Sequence, residues 1–173
     1  MRYVQVCPPN SQWLKDFEVE AAQVALALGN NVTHIYHIGS TAIPHIYAKP
    51  VIDLLVEAND INRVDICSAA MAALGYTAMG EYGLPGRRYF RKHNAQGVRT
   101  HHVHTFTVGA PEVVRHLAFR DFMIAHPDCA QQYSELKRTL AAQYPTDIDG
   151  YMDGKDEFVK TMEQRALHWR GLV

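Results

Sequence analysis

Asp53 is the single charge in the run Val51 to Val56. A carboxylate inside such an apolar strand is costly unless a metal, a positive group or solvent meets it. Gly39-Ser40-Thr41 lies upstream, with Ser40 13 residues before Asp53. A turn of that composition after a strand exposes backbone N–H groups and two hydroxyls, which suits phosphate oxygens. Asp53, on the next strand, can hold Mg²⁺ against the same phosphates, and Lys49 can add a point charge. A plain Gly-Ser turn is the other reading of the same residues.

His102 and His104 alternate with Val103, so in a strand both imidazoles point to one side. Together with Asp53 they make two nitrogens and one carboxylate, a donor set for a single metal with open positions. Mg²⁺ prefers oxygen donors, so Zn²⁺, Mn²⁺ or Fe²⁺ suits this set better. Two hydrogen-bonded strand histidines are the alternative, and imidazole contact to phosphate is a third. Between Tyr82 and Pro111 there is no Asp or Glu, while Arg87, Arg88, Arg91, Lys92 and Arg99 all fall there. Arg88 and Lys92 share a strand face and are candidates to meet an anion, or else charges that protect a sheet edge. Glu57, further along Asp53's strand, is expected to be solvated. On later helices Lys137 and Lys155 follow Tyr133 and Tyr151 at four-residue spacing, so either lysine can close an anion pocket or simply face solvent.

These groups need a mixed scaffold. Ser11 is placed to cap a helix with Trp13, Phe17, Val24 and Leu28 on one stripe, stopped by Gly29. Strands are expected at Val32–Ile38, Val51–Val56 and Arg99–Val108, with a helix from Asp60 or Asn62 to Leu74 and further strands after Tyr76. Pro111 and Pro127 open two helices, and a last one is expected from about Gly154 to Trp169. The expectation is one α+β domain over residues 1–173 with a helical C-terminal portion.

The chain has 173 residues, a formal net charge of −1 and 47% apolar residues, a globular profile without the basic surface of a bulk nucleic-acid binder. Cys7, Cys67 and Cys129 have neither paired nor zinc-ligand spacing and read as reduced thiols. No signal-peptide core and no apolar run of about 18 residues is present, so a cytoplasmic location without membrane contact is expected.

The run from His37 to Val56, HIGSTAIPHIYAKPVIDLLV, resembles the signature of the GrpB family, a branch of the nucleotidyltransferase superfamily. The resemblance continues through Arg88 and Lys92, His102 and His104, Phe119-Arg120-Asp121, Tyr133 with Lys137 and Tyr151 with Lys155. It implies a nucleotidyltransferase-like mixed sheet flanked by helices, a domain that also occurs fused to dephospho-coenzyme A kinases. By the same resemblance Gly39 and Ser40 would hold phosphates and Asp53 would be the first metal carboxylate. The second carboxylate would fall at position 55, which is Leu, and the third corresponds to the strand of His102 and His104. His45 also departs from the family, which often has Gly there. Three functions follow as expectations. One is metal-dependent nucleotidyl transfer using Mg²⁺, Mn²⁺ or Zn²⁺. Another is non-catalytic binding of a nucleotide or related phosphorylated small molecule. The third is mononuclear metal-dependent hydrolysis at Asp53, His102 and His104.

Overall fold

A computed structural model of the chain describes residues 3–173, which group into two compact units interleaved in sequence. The first, a sheet unit, comprises Ser11–Ile38 and Val51–Val114. Its strands are β1 (Val32–Ile38), β2 (Ile52–Ala58), β3 (Tyr76–Ala78), β4 (Arg88–His93) and β5 (Arg99–Thr107), and its helices are α1 (Gln12–Leu28), α2 (Ile61–Ile66) and α3 (Ser68–Ala73). The strand order is β1-β2-β5-β4-β3. Only β2 and β5 run parallel, the crossover between them being the whole segment from α2 to β4. This is the mixed, helix-flanked α+β architecture expected from the sequence.

The helices of this unit pack on one face of the sheet, α1 against β1 and β2, α2 against β4 and β5. Leu54, Val56, Phe90 and Val103, which share one face by alternation and register, are buried, as are Val24 of α1 and Met71 of α3. Asp53 belongs to the opposite face. Two local expectations are corrected. Ser11 has helical backbone angles and makes no capping bond to α1. The single helix expected between Asp60 and Leu74 is two short ones broken at Cys67, although Asp60 does cap the first by accepting the Asn62 N–H at 2.9 Å.

The helical unit comprises the chain up to Asn10, Gly39–Pro50 and Arg115–Val173. It holds most of α4 (Pro111–Ala125), together with α5 (Pro127–Gln143) and α6 (Ile148–Trp169). Its core is built from Ile43, Ile46, Phe122, Met123, Tyr133 and Met162. The last helix begins at Ile148, capped by Asp147 accepting the Gly150 N–H at 3.0 Å, well before the Gly154 start expected from its apolar stripe. Gly150 and Gly154 sit inside the helix because a close neighbour needs the room. A Cβ at Gly154 would come 2.5 Å from a Leu140 methyl of α5. His45 has φ 65°, in the left-handed region that favours Gly, which gives a physical reason for Gly at the position where the family often has it. All three cysteines are free. Among the described residues no helix is long and apolar enough to cross a membrane.

Candidate metal and anion site

Register brings the expected ligands together. Asp53 of β2 pairs with His102 of β5, and Leu55 pairs with His104. Because partners in register share a sheet face, Asp53, His102 and His104 all project from the face opposite α1 and α2. The Asp53 carboxylate Oδ1 lies 3.0 Å from His102 Nδ1 and 3.4 Å from His104 Nε2. One donor atom from each residue falls within 4.8 Å of the others. The side chains are 24%, 17% and 16% exposed, so the cluster is sheltered yet reachable.

Burial pushes the Asp53 carboxyl up, but hydrogen bonds from His102 and His104, and then their charge, outweigh it. The group is held well below the ordinary carboxylate range and stays anionic. Metal–ligand bonds of about 2.0–2.2 Å, at angles from octahedral to tetrahedral, put neighbouring donors about 2.8–3.6 Å apart. The two separations from Asp53 fall inside that interval and the third lies within 4.8 Å, spacings compatible with the three residues holding a single divalent transition metal. Nε2 of His102, on the far side of the ring from Asp53, is buried without a hydrogen-bond partner among the described residues.

The same face carries an aromatic and basic surround that sequence reasoning did not single out. Tyr89 of β4 pairs with His104, and Arg91 pairs with His102. The Tyr89 ring lies 5.6 Å from the His102 ring and 5.1 Å from that of His104, and Tyr82 stacks on it at 5.3 Å. Burial raises the Tyr89 phenol; the charge of Asp53 adds to this, while Arg99, Arg91 and Arg87 oppose it. The Arg87 guanidinium sits over the Tyr89 ring at 5.0 Å and that of Arg91 over the Tyr82 ring at 5.6 Å. Neither has an acidic partner among the described residues. The available signal was the alternation Arg87, Tyr89, Arg91, but alternation alone does not say which face meets Asp53.

Arg88 and Lys92, the basic residues proposed from the sequence, point the other way. Arg88 forms a two-pronged bond to Asp65 of α2, at 2.7 and 3.0 Å, and Lys92 bonds Glu20 of α1 at 2.9 Å. Both lie on the helix-covered face and dock helices, away from Asp53. His37 is on that face too, its ring stacked on Phe17 at 4.7 Å. Glu57 is corrected from solvated to 7% exposed: its carboxylate accepts from the Gly109 N–H at 2.9 Å and the Tyr36 hydroxyl at 3.1 Å. Leu55 is fully buried.

The remaining candidates belong to the helical unit. Gly39 has φ 74° and leads into a single helical turn at Ser40–Ala42, with Thr41 buried and the Ala42 N–H donating to the Gly39 carbonyl at 3.2 Å. Lys49 follows in the same segment, partly buried. Lys137 is 2% exposed, and its Nζ lies 4.3 Å from the centre of the Tyr133 ring. Lys155 is partly buried with its Nζ 5.4 Å from the Tyr151 ring.

Comparison with known proteins adds the family context. The family model of GrpB protein matches residues 3–165. The chain is 45% identical to UPF0157 protein YqkA of Bacillus subtilis over 98% of its own length, and spans 49% of that relative. It is 25% identical to the Dephospho-CoA kinase of Mycolicibacterium paratuberculosis over 96% of its length, spanning 46% of that protein. Among solved structures, a conserved protein GrpB from Enterococcus faecalis matches with a TM-score of 0.92 and 41% identity, covering 96% of this chain and 99% of the other.

Proposed function

The chain belongs to the GrpB family, and from that premise we propose that it binds a phosphorylated small molecule, such as a nucleotide, at a single divalent metal held by Asp53, His102 and His104. The observation that carries this reading is the convergence of one carboxylate and two imidazoles from two parallel strands within 4.8 Å. When bound, a metal of this kind supplies a Lewis-acidic centre with positions open to phosphate oxygens. The chain's own part is to hold the anion near it. Arg87 and Arg91 supply positive charge without an acidic partner, and Tyr82, 54% exposed, offers an aromatic ring of the kind nucleobases stack on. Leu55 leaves the face without the second carboxylate that clamping two hard cations requires, which favours one metal over two. The occurrence of a similar region in proteins named dephospho-CoA kinases agrees with a phosphorylated ligand.

Titration calorimetry with Zn²⁺, Mn²⁺ and Mg²⁺, followed by thermal shifts with nucleotides in each metal or in chelator, tests the proposal. One transition-metal ion per chain is expected, lost in Asp53→Asn while the fold persists, with nucleotide stabilisation that needs the metal. Nucleotide binding that survives chelation, persists in Asp53→Asn and fails in Arg91→Ala would instead identify a metal-free anion-binding module. Absence of metal binding in the wild type sinks the metal reading.

A further inference from the structure

Lys137 occupies a position where a lysine is expensive. Its side chain is 2% exposed, and its Nζ has no hydrogen-bond partner among the described residues. Around it are the face of Tyr133, itself stacked on Phe158 of α6 at 5.5 Å, and the positive charge of Lys155. Neither lysine is ion-paired to a carboxylate among the described residues. Nearby acids do not fill the role: Glu135 is bonded to Arg138, and Asp156 to Lys160. A buried ammonium is stable only when paired, and a methionine of similar length would fill the same space without the desolvation cost. A buried amine without a partner, with the charge of a second lysine acting on it from the neighbouring helix, is an arrangement that an oxyanion completes through charge-assisted hydrogen bonds.

We infer that Lys137 and Lys155, on the facing helices α5 and α6, form an oxyanion site within the helical unit that takes a phosphate-type group. Tyr151, one turn before Lys155 and 4% exposed, keeps its phenol protonated because burial raises it, so it stays a hydrogen-bond donor. Tyr133 and Phe158 supply the apolar wall. The inference uses none of the metal-site residues and stands apart from the proposed metal reading.

Calorimetry and thermal shifts in phosphate-free buffer test it, with inorganic phosphate and adenosine monophosphate as separate probes and chloride at equal ionic strength as control. Wild type, Lys137→Met, Lys155→Gln and Asp53→Asn are compared. Phosphate is expected to raise the melting temperature of the wild type and of Asp53→Asn alike, chelator present or not. In Lys137→Met the affinity should fall by about ten-fold or more, and in Lys155→Gln by less. Lys137→Met keeps the packed stem and removes the buried charge, so it is expected to fold, and Lys155→Gln alters a partly exposed position and provides the second variant. If adenosine monophosphate binds where phosphate does not, with the same dependence on Lys137, the site takes a phosphomonoester of a larger molecule. If neither anion stabilises the wild type beyond chloride, or the shift is undiminished in Lys137→Met, the inference is overturned.

Discussion

Replacing Lys137 with Met should change how stability depends on pH, even with no ligand present. Burial, reinforced by the charge of Lys155, pulls the Lys137 ammonium down from 10.5 to about 7. Between those values the unfolded chain holds a proton that the folded chain has released, so stability rises with pH across this window. The slope is about 1.4 kcal/mol per pH unit when the difference is a whole proton. With the folded group half-charged near pH 7, the gain from about pH 7 to about pH 9 is about 2 kcal/mol. Lys137→Met has no such proton, so it should exceed the wild type in stability, and by about 2 kcal/mol more near pH 7 than near pH 9. Urea unfolding of both proteins in phosphate-free buffer at the two pH values gives this difference, because every other titrating group is shared and cancels. An equal stability difference at both values would refute the claim that Lys137 is a buried, unpaired amine.

Two further substitutions test local readings. His45→Gly should stabilise the protein by about 1 kcal/mol, since His45 sits at φ 65° where a side chain is strained; a thermal midpoint that stays level or falls would show that the loop relaxes around the imidazole. Glu57→Ala should cost about 1–3 kcal/mol by removing the carboxylate that accepts from the Gly109 N–H and the Tyr36 hydroxyl, whereas a loss below a few tenths in urea unfolding would mean that other acceptors take its place.

The sequence revealed the scaffold where a strong pattern and a local breaker agreed. Val51–Val56 is apolar enough to suit a central strand, and Pro111 and Pro127 start helices because proline fits their first turn. It misled where glycine served packing. Gly154 lies inside α6 because Leu140 leaves no room for a Cβ, a fact about another helix that local sequence does not contain. The clustering of Asp53, His102 and His104 was legible because alternation fixes which residues of one strand share a face. The surround was not, since choosing between Arg91 and Arg88 requires knowing which face α2 covers. Asp65 settles that by holding Arg88 on the helix side.

Leu55 and His104 are best understood together. They are register partners on the same face as Asp53, and Leu55 is fully buried while His104 leans across to the Asp53 oxygen at 3.4 Å. A carboxylate at position 55 would lie beside His104 and compete with Asp53 for it, drawing the imidazole away from the position in which both histidines meet one oxygen. Leucine at that point offers no such competitor, and both imidazoles keep their hydrogen bonds to Asp53. On the proposed metal reading, leucine at position 55 and imidazole at position 104 belong to one donor arrangement. A donor set of two nitrogens and one oxygen would prefer a single softer cation to a pair of hard ones. A Leu55→Asp variant would therefore be a poor route to two-metal chemistry, because its carboxylate would compete with Asp53 for His104.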